Sequence, residues 1–244
     1  MEKDLNDENL PFEPTRLERL MLAKTAIQAH ISNNNTEDDD DDLILSEEAR
    51  LALLSHLEET CKSASEDAFV EEDWELSQFW YDEETALTLA KAAVECVGEK
   101  GRIACVSSPS VYNQLQKLSN SKEHYLFEFD KRFQDKFSGQ AIFYDYKIPL
   151  ELDPKFQMYF DVVIADPPFL SQECLEKFTQ TINFLTEKKI ILCTGAVMED
   201  DAKKLLNLIP CNFKPQHEKK LGNEFKCYAN FNLDEIVSHN KGLN

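Results

Sequence analysis

The sequence predicts an open, doubly wound α/β domain with a mainly parallel sheet, preceded by a helical N-terminal extension. From about residue 70 onward, short apolar runs alternate with longer amphipathic segments. This is the pattern of strands joined by crossover helices. The apolar runs are nearly continuous, as expected for parallel strands that are buried on both faces. The 244 residues suffice for one such domain and an appendage.

Two helices and an acidic tract are predicted ahead of the domain. The first helix covers EPTRLERLMLAKTAIQAHI, with Thr15 as its N-cap, and the polar, acidic stretch SNNNTEDDDDD follows it. That stretch cannot bury apolar surface, so we expect it to be disordered. Ser46 opens the second helix, LSEEARLALLSHLEETCK. We therefore divide the chain into an acidic, largely disordered extension (1–42), a helical segment (43–69) and the main domain (70–244).

Six strands and four helices are predicted within the main domain. Asp82 is the expected N-cap of the first helix, DEETALTLAKAAVECVG, and Gly98 is the expected stop. The strands are RIACV, HYLFEFD, AIFYDY, FDVVIAD, KKIILCT and the alternating EFKCYANFNL. The other helices are predicted over SPSVYNQLQKL, SQECLEKFTQTINFL and MEDDAKKLLNLI.

The net charge of −20 is concentrated near the N-terminus. Residues 1–78 carry 22 acidic and 6 basic side chains, and the remaining 166 residues carry 24 and 20. Neither part has the basic balance of a protein that binds phosphate backbones, so we expect no nucleic-acid partner. There is no run of eighteen apolar residues and no apolar leader, so we expect a cytoplasmic protein without a membrane partner.

The seven cysteines form neither a disulfide pattern nor a zinc motif. Their number is odd, they are well spread, and no C-x-x-C pair occurs. We interpret Cys105 and Cys193, which lie inside apolar runs, as buried packing residues. No metal site is expected.

Polar side chains follow several of the predicted strands. In sheets of this kind, ligands bind beyond the carboxyl ends of the strands. Asp130 lies 24 residues after Val106, close to the spacing of an acid that binds ribose hydroxyls. Any one such residue is more often a turn or cap residue, but together they indicate a site. The positions are Ser107, Ser108, Asp130, Asp145 and Asp166.

Asp166 is followed by Pro167, Pro168 and Phe169. Each proline forces the residue before it into an extended conformation, and neither can donate to a strand ladder. The Asp166 side chain and a neighbouring carbonyl can therefore accept hydrogen bonds from one amino group, while Phe169 covers it with a flat face. This arrangement suits an amine that presents its lone pair to an electrophile.

Asp-Pro-Pro-Phe after a strand resembles the amino-methyltransferase signature of class I S-adenosylmethionine enzymes. The blocks LSQFWYDEETALTLA, RIACVSSPSVY, FEFDKRF, FYDY, DVVIADPPFLS and ILCTGAVME together resemble the eukaryotic elongation factor 1-alpha lysine methyltransferase family. Its members were once labelled N-6 adenine-specific DNA methyltransferases. The resemblance spans roughly 46–231 and implies a Rossmann-like fold, S-adenosyl-L-methionine as cofactor, and translation elongation factor 1-alpha as substrate. We expect a monomer.

The resemblance also implies roles for individual residues. Asp166, Pro167, Pro168 and Phe169 are expected at the transferred methyl, Ser107 and Ser108 at the methionine end of the cofactor, Asp130 on the ribose, Asp145 near the adenine, and Trp80 and Tyr81 beside the substrate. Phe79 is expected in the core. The loop VSSPSVY lacks the glycines that most of the superfamily has at this point, a feature that the family shares.

Two other functions stay open at this point. One is methylation of an adenine amine in DNA or RNA, with Phe169 stacking on a flipped base; the charge balance argues against it. The other is a catalytically inactive interaction module, which the missing glycines allow and the intact Asp-Pro-Pro-Phe disfavours.

Overall fold

The computed structural model describes residues 69–70, 72–98 and 100–241, together with Ser55. The helices are α1 (Glu83–Val97), α2 (Pro109–Leu118), α3 (Arg132–Lys136), α4 (Gln172–Leu185), α5 (Glu199–Leu206) and α6 (Leu233–Lys241). The strands are β1 (Ile103–Val106), β2 (His124–Glu128), β3 (Ala141–Phe143), β4 (Val162–Ala165), β5 (Lys189–Gly195), β6 (Ile209–Pro210) and β7 (Phe225–Ala229). Short 3-10 turns cover Trp74–Leu76, Pro154–Phe156 and Ala196–Met198. The predicted extension over 1–42 and almost all of the helical segment over 43–69 lie outside the described residues.

The seven strands form one sheet in the order β3-β2-β1-β4-β5-β7-β6. Strands β1 to β5 pair in parallel, and β7 runs antiparallel to β5 and β6. The strand order reverses between β1 and β4, where open α/β sheets bind their ligands. The predicted doubly wound, mainly parallel sheet is therefore confirmed.

Strands β1 and β4 form the buried centre of the sheet. All four residues of each strand are buried, and Val106 pairs with Ala165. Ser107 and Asp166 follow these paired residues and therefore lie side by side at the same edge of the sheet. On one face, Phe127 of β2 packs edge-on against Phe156, with ring centroids 5.2 Å apart, which anchors the end of β2 in the core.

Helix α1 begins and ends as predicted. The Asp82 side chain accepts a hydrogen bond from the Thr85 N–H at 2.8 Å, and Gly98 ends the helix with φ 75°. Such a positive φ favours glycine because it has no Cβ. Cys105 and Cys193 are buried and free, as expected.

The end of α5 differs from the prediction. The helix was expected to run to Ile209 but ends at Leu206, because Asn207 adopts a left-handed conformation with φ 53°. Asparagine is among the few residues that tolerate this conformation. Ile209 and Pro210 then pair with β7 as an edge strand. Helices α3 and α6 were not predicted.

The described residues from Val70 onward form one compact unit. Among them, no helix combines the length with the apolar character that a bilayer crossing requires.

Candidate active site

A cleft of about 250 Å³ lies at the carboxyl ends of β1, β2 and β4. It is therefore at the point where the strand order reverses, the usual ligand position in such a sheet. Its walls come from residues 75–80, 107–110, 128–129, 144–147 and 166–169, and from His217, Leu221 and Phe225.

All four residues of the Asp-Pro-Pro-Phe sequence line this cleft. The Asp166 N–H donates to the Val106 carbonyl at 3.0 Å, so the strand ladder holds the chain up to Asp166. Pro167 and Pro168 have no N–H and cannot continue it. The Phe169 side chain is 44% exposed and tilts against the ring of Tyr146 at 5.8 Å. A flat face and acceptor oxygens thus stand at the same edge of the cleft.

The Asp166 carboxyl is poised to titrate near neutral pH. Burial raises its pKa to about 7, an effect that hydrogen bonding from Tyr81 partly opposes and the charge of Glu128 reinforces. A proton can therefore bind to or leave this carboxyl at physiological pH.

Glu128 is a second acid in the cleft and was not predicted. It is the last residue of β2 and is only 7% exposed. Its Oε1 accepts hydrogen bonds from the N–H groups of Phe129 at 2.9 Å and Asp130 at 3.2 Å. Burial raises its pKa to about 7 in spite of these bonds. The only sign in the sequence is an acidic residue at the end of an otherwise apolar strand.

Asp130 is not among the residues that line the cleft. Its side chain is 5% exposed and is bound by Arg132 Nη2 at 2.6 Å and Gln78 Nε2 at 3.0 Å. Burial acts to raise the pKa of Asp130, but the hydrogen bonds from Arg132 and Gln78 outweigh it and hold the pKa below its usual value. Because the Asp130 Oδ1 accepts a hydrogen bond from the Arg132 N–H at 2.9 Å, both oxygens of this carboxylate are engaged within the protein.

Ser107 replaces the glycine that the first loop lacks. It adopts φ 50°, the left-handed region that glycine usually occupies, and its N–H donates to the Phe127 carbonyl at 2.9 Å. A residue with a Cβ pays about 1–2 kcal/mol for this conformation. The buried Ser108 Oγ donates to the Ile164 carbonyl at 3.4 Å. Ser107 thus adopts a backbone conformation that is usual for glycine, and hydrogen bonds to β2 and β4 stabilise the turn.

Asp145 also lines the cleft, two residues beyond the end of β3. Strand β3 is shorter than predicted, and the Asp145 Oδ1 accepts a hydrogen bond from the Lys147 N–H at 2.9 Å. One oxygen of this carboxylate therefore stabilises its own turn.

The three aromatic residues before α1 lie in different positions relative to the cleft. Phe79, expected in the core, is only partly buried and lines the cleft. Trp80 lines it too but is 7% exposed, and its Nε1–H donates to the Val70 carbonyl at 2.8 Å. Tyr81 is 3% exposed and is not among the lining residues.

This aromatic segment is fixed by the chain that precedes β7. Tyr81 and His217 form an antiparallel bridge, and the Glu218 N–H donates to the Trp80 carbonyl at 2.9 Å. His217 itself lines the cleft, and burial lowers its pKa to about 4, so its ring is neutral at physiological pH. No signal in the sequence singled out His217.

The sheet order, the antiparallel β7 and the cleft beyond β1 and β4 define the class I methyltransferase fold. The family model described as "Probable N6-adenine methyltransferase" matches residues 72–233. The chain is also 53% identical over 164 residues to EEF1A lysine methyltransferase 1 of Homo sapiens, covering 66% of this chain and 76% of that protein. The chain therefore belongs to the family that this model describes and that includes EEF1A lysine methyltransferase 1.

Other relatives agree with this assignment. Protein-lysine N-methyltransferase EFM5 of Saccharomyces cerevisiae is 41% identical over 180 residues, covering 66% of this chain and 72% of that protein. Among solved structures, the branched-chain polyamine synthase from Thermus thermophilus superposes with a TM-score of 0.50 at 13% identity. That superposition covers 70% of this chain and 62% of the synthase, and it supports the fold alone.

Proposed function

We propose that this protein transfers a methyl group from S-adenosyl-L-methionine to a lysine of translation elongation factor 1-alpha. The observation that carries the proposal is the placement of Asp166 through Phe169 at the cleft edge, beyond the end of β4. The names of relatives at 41% to 53% identity, which specify lysine methylation, support the choice of acceptor. On this proposal, residues 70–244 are the methyltransferase domain.

The residues around the cleft fit S-adenosylmethionine. When bound, this cofactor supplies an electrophilic methyl group on a positively charged sulfonium. Glu128 presents a buried carboxyl at the end of β2, and the ring of Phe129 beside it is 47% exposed. Glu128 can therefore accept hydrogen bonds from ribose hydroxyls, and the adjacent Phe129 ring can stack on a purine. Ser107 and Ser108 would hold the methionine end, and Asp145 the adenine side.

We assign the ribose to Glu128 in place of Asp130. The Asp130 carboxylate is held by Arg132 and Gln78, whereas Glu128 lines the cleft. Asp130 would then act by fixing the cleft wall through Gln78. The role predicted for Asp130 from its spacing is thereby replaced by an indirect one.

The acceptor lysine must reach the methyl group as a neutral amine. Free lysine has a pKa of about 10.4, so the bound ammonium has to lose one proton before attack. Apolar surroundings at Phe169 disfavour the charged form. Asp166 and the carbonyl of Pro167 would accept the remaining N–H groups and aim the lone pair at the methyl. Trp80 also lines the cleft.

Charge favours a protein acceptor over a nucleic acid. The chain carries a net charge of −20, which repels polyanions and attracts basic protein surfaces. We further propose that the protein acts as a monomer in the cytoplasm. The odd number and scattered positions of its cysteines fit a reducing compartment.

A labelling experiment tests the proposal. Purified enzyme and S-adenosylmethionine with a tritiated methyl group are mixed with cell extract, and samples are split between protease and nuclease. We expect one labelled protein band of the size of elongation factor 1-alpha that survives nuclease and is lost with protease. Label confined to adenine in DNA or RNA would establish the alternative function.

A further inference from the structure

Three cysteines that are scattered in the sequence come together in the sheet. Cys193 of β5 pairs directly with Cys227 of β7. On the other side of β7, the pairing with β6 continues for one more residue, because the Cys211 N–H donates to the Cys227 carbonyl at 2.8 Å. Side chains of directly opposite residues lie on the same face of a sheet. Cys193, Cys227 and Cys211 therefore form a row across β5, β7 and the end of β6, which we call the cysteine row.

The cysteine row is buried at one end and partly exposed at the other. Cys193 and Cys227 are 1% and 0% exposed, whereas Cys211 follows the edge strand β6 and is partly exposed. All three are free thiols. They are not among the residues that line the cleft. The row is therefore separate from the candidate active site, and Cys211 is the member that a small reagent can reach from solvent.

The spacing of Cys211 and Cys227 suits a disulfide. Opposite residues that share a backbone hydrogen bond across antiparallel strands have Cα atoms about 5.5 Å apart. Disulfides join residues whose Cα atoms are about 4.4–6.8 Å apart. A bond between these two sulfurs can therefore form without a large movement of the strands.

The two thiols also differ in acidity. A hydrogen bond with Cys227 lowers the pKa of Cys211, although burial and the charge of Asp234 act in the opposite direction. Hydrogen bonding with Cys193 and Cys211 raises the pKa of Cys227 well above its ordinary value. The thiolate is the reactive form of cysteine. Cys211 is therefore the thiol that reacts first, with Cys227 as its protonated neighbour.

We propose that Cys211 and Cys227 form a modification site for hydrogen peroxide, which converts them into a reversible disulfide. The Cys211 thiolate attacks one peroxide oxygen, the O–O bond breaks, hydroxide leaves, and Cys211 becomes a sulfenic acid. The Cys227 sulfur then attacks the Cys211 sulfur, so that the S–S bond forms and the S–O bond breaks. The departing hydroxide takes the Cys227 proton and leaves as water. Peroxide is reduced, the two cysteines are oxidised, and a dithiol reductant reverses the change.

Peptide mapping tests this pairing in the full-length protein. The reduced protein is treated with a small excess of hydrogen peroxide, blocked with N-ethylmaleimide, digested with trypsin without reductant and analysed by mass spectrometry. Cleavage after lysine places Cys193, Cys211 and Cys227 on separate peptides. We expect a linked pair of peptides that contains Cys211 and Cys227 and separates on treatment with dithiothreitol. A digest without this linked pair, or a disulfide that does not include Cys211, overturns the proposal.

Two variants separate the roles of the cysteines. Cys211→Ser should abolish the disulfide. Cys227→Ala removes the second thiol, so Cys211 should accumulate as a sulfenic acid that dimedone traps. Disulfide formation at Cys227 that persists in Cys211→Ser, or absence of a dimedone adduct on Cys211 in Cys227→Ala, contradicts the proposed sequence of steps.

Cys96 is the matched control. It is also partly exposed, but burial raises its pKa to about 11. Cys96→Ser should therefore leave the yield of the linked peptides unchanged, and N-ethylmaleimide should label Cys211 at least about tenfold faster than Cys96 in the reduced wild type. Equal labelling rates contradict the assignment of Cys211 as the reactive thiol. None of these measurements uses methyl transfer, so their outcome is independent of the proposed function.

Discussion

Gln78 and Asp130 are 52 residues apart in the chain and are joined by a 3.0 Å hydrogen bond from Nε2 to Oδ2. Arg132 binds both residues: its Nη2 donates to Asp130 Oδ2 at 2.6 Å and to Gln78 Oε1 at 3.2 Å. Gln78 lies in the cleft wall, whereas Asp130 follows β2. The wall is thus attached to the sheet through a buried carboxylate.

Asp130→Ala should lower the stability of the protein. The change leaves the buried Gln78 amide and the Arg132 guanidinium without their shared acceptor, which costs about 1–3 kcal/mol in unfolding free energy. Urea denaturation measures this loss. Lys214→Ala is the control, since it removes an exposed ion pair with Glu224, and such pairs contribute little. Equal midpoints for Asp130→Ala and the wild type would show that the hydrogen-bonded group is not structural.

Glu128→Gln should weaken cofactor binding while the fold is retained. The amide oxygen can still accept from the N–H groups of Phe129 and Asp130, but the charged acceptor for the ribose is lost. A hydrogen bond to a charged group is worth about 1.5–3 kcal/mol, or about ten- to a hundredfold in affinity. Titration calorimetry with S-adenosylmethionine tests this. Unaltered affinity would remove Glu128 from the site.

The difference in stability between Glu128→Gln and the wild type should depend on pH. The pKa of Glu128 is raised from 4.5 to about 7 by burial, so the folded state binds more protons than the unfolded state between these values. Its contribution to stability therefore decreases as pH rises from about 4.5 to about 7. Without cofactor, Glu128→Gln should have a larger free energy of unfolding than the wild type above a pH of about 7. This difference in unfolding free energy should become smaller as the pH falls. If the difference in unfolding free energy does not change with pH, burial of the Glu128 carboxyl is not its cause.

The stability of variants at Ser107 should depend on how well the new residue tolerates a positive φ. Ser107→Gly removes the Cβ from a residue at φ 50°, and we expect stability within about 1 kcal/mol of the wild type, because relief of strain offsets the greater freedom of glycine when unfolded. Ser107→Val should be destabilised by about 1–2 kcal/mol or more, because a branched side chain is least tolerated there. Thermal unfolding of both variants is the measurement. Equal stability of the valine and glycine variants would argue against a strained turn.

The strands and the position of the Asp-Pro-Pro-Phe segment after β4 were predictable because their signals are local. Continuous apolar runs specify buried parallel strands, and two prolines after Asp166 end a ladder whatever the rest of the chain does. Helix α1 was predicted to its ends because its N-cap Asp82 and its stop Gly98 act on neighbouring residues.

The differences between prediction and structure come from long-range or conformational causes. Asp130 and Glu128 are both acids near the end of β2. We propose different roles for them because Asp130 is held by Gln78, which is far away in the chain, and by Arg132. The end of α5 depends on a left-handed Asn207, which its apolar pattern does not show. Tyr81 was expected beside the substrate because of the family resemblance. The structure buries Tyr81, which forms a backbone bridge with His217 far away in the chain.

We propose that Asp166 holds the acceptor lysine at the cofactor's methyl group. The most direct measurement compares tritiated methyl transfer to purified elongation factor 1-alpha by the wild type and by Asp166→Ala, followed by hydrolysis and separation of the amino acids. Calorimetry on the same samples measures cofactor binding. We expect label in methyl-lysine with the wild type, none with Asp166→Ala, and similar cofactor affinity for both. Substantial turnover by Asp166→Ala, or label outside lysine, would contradict it.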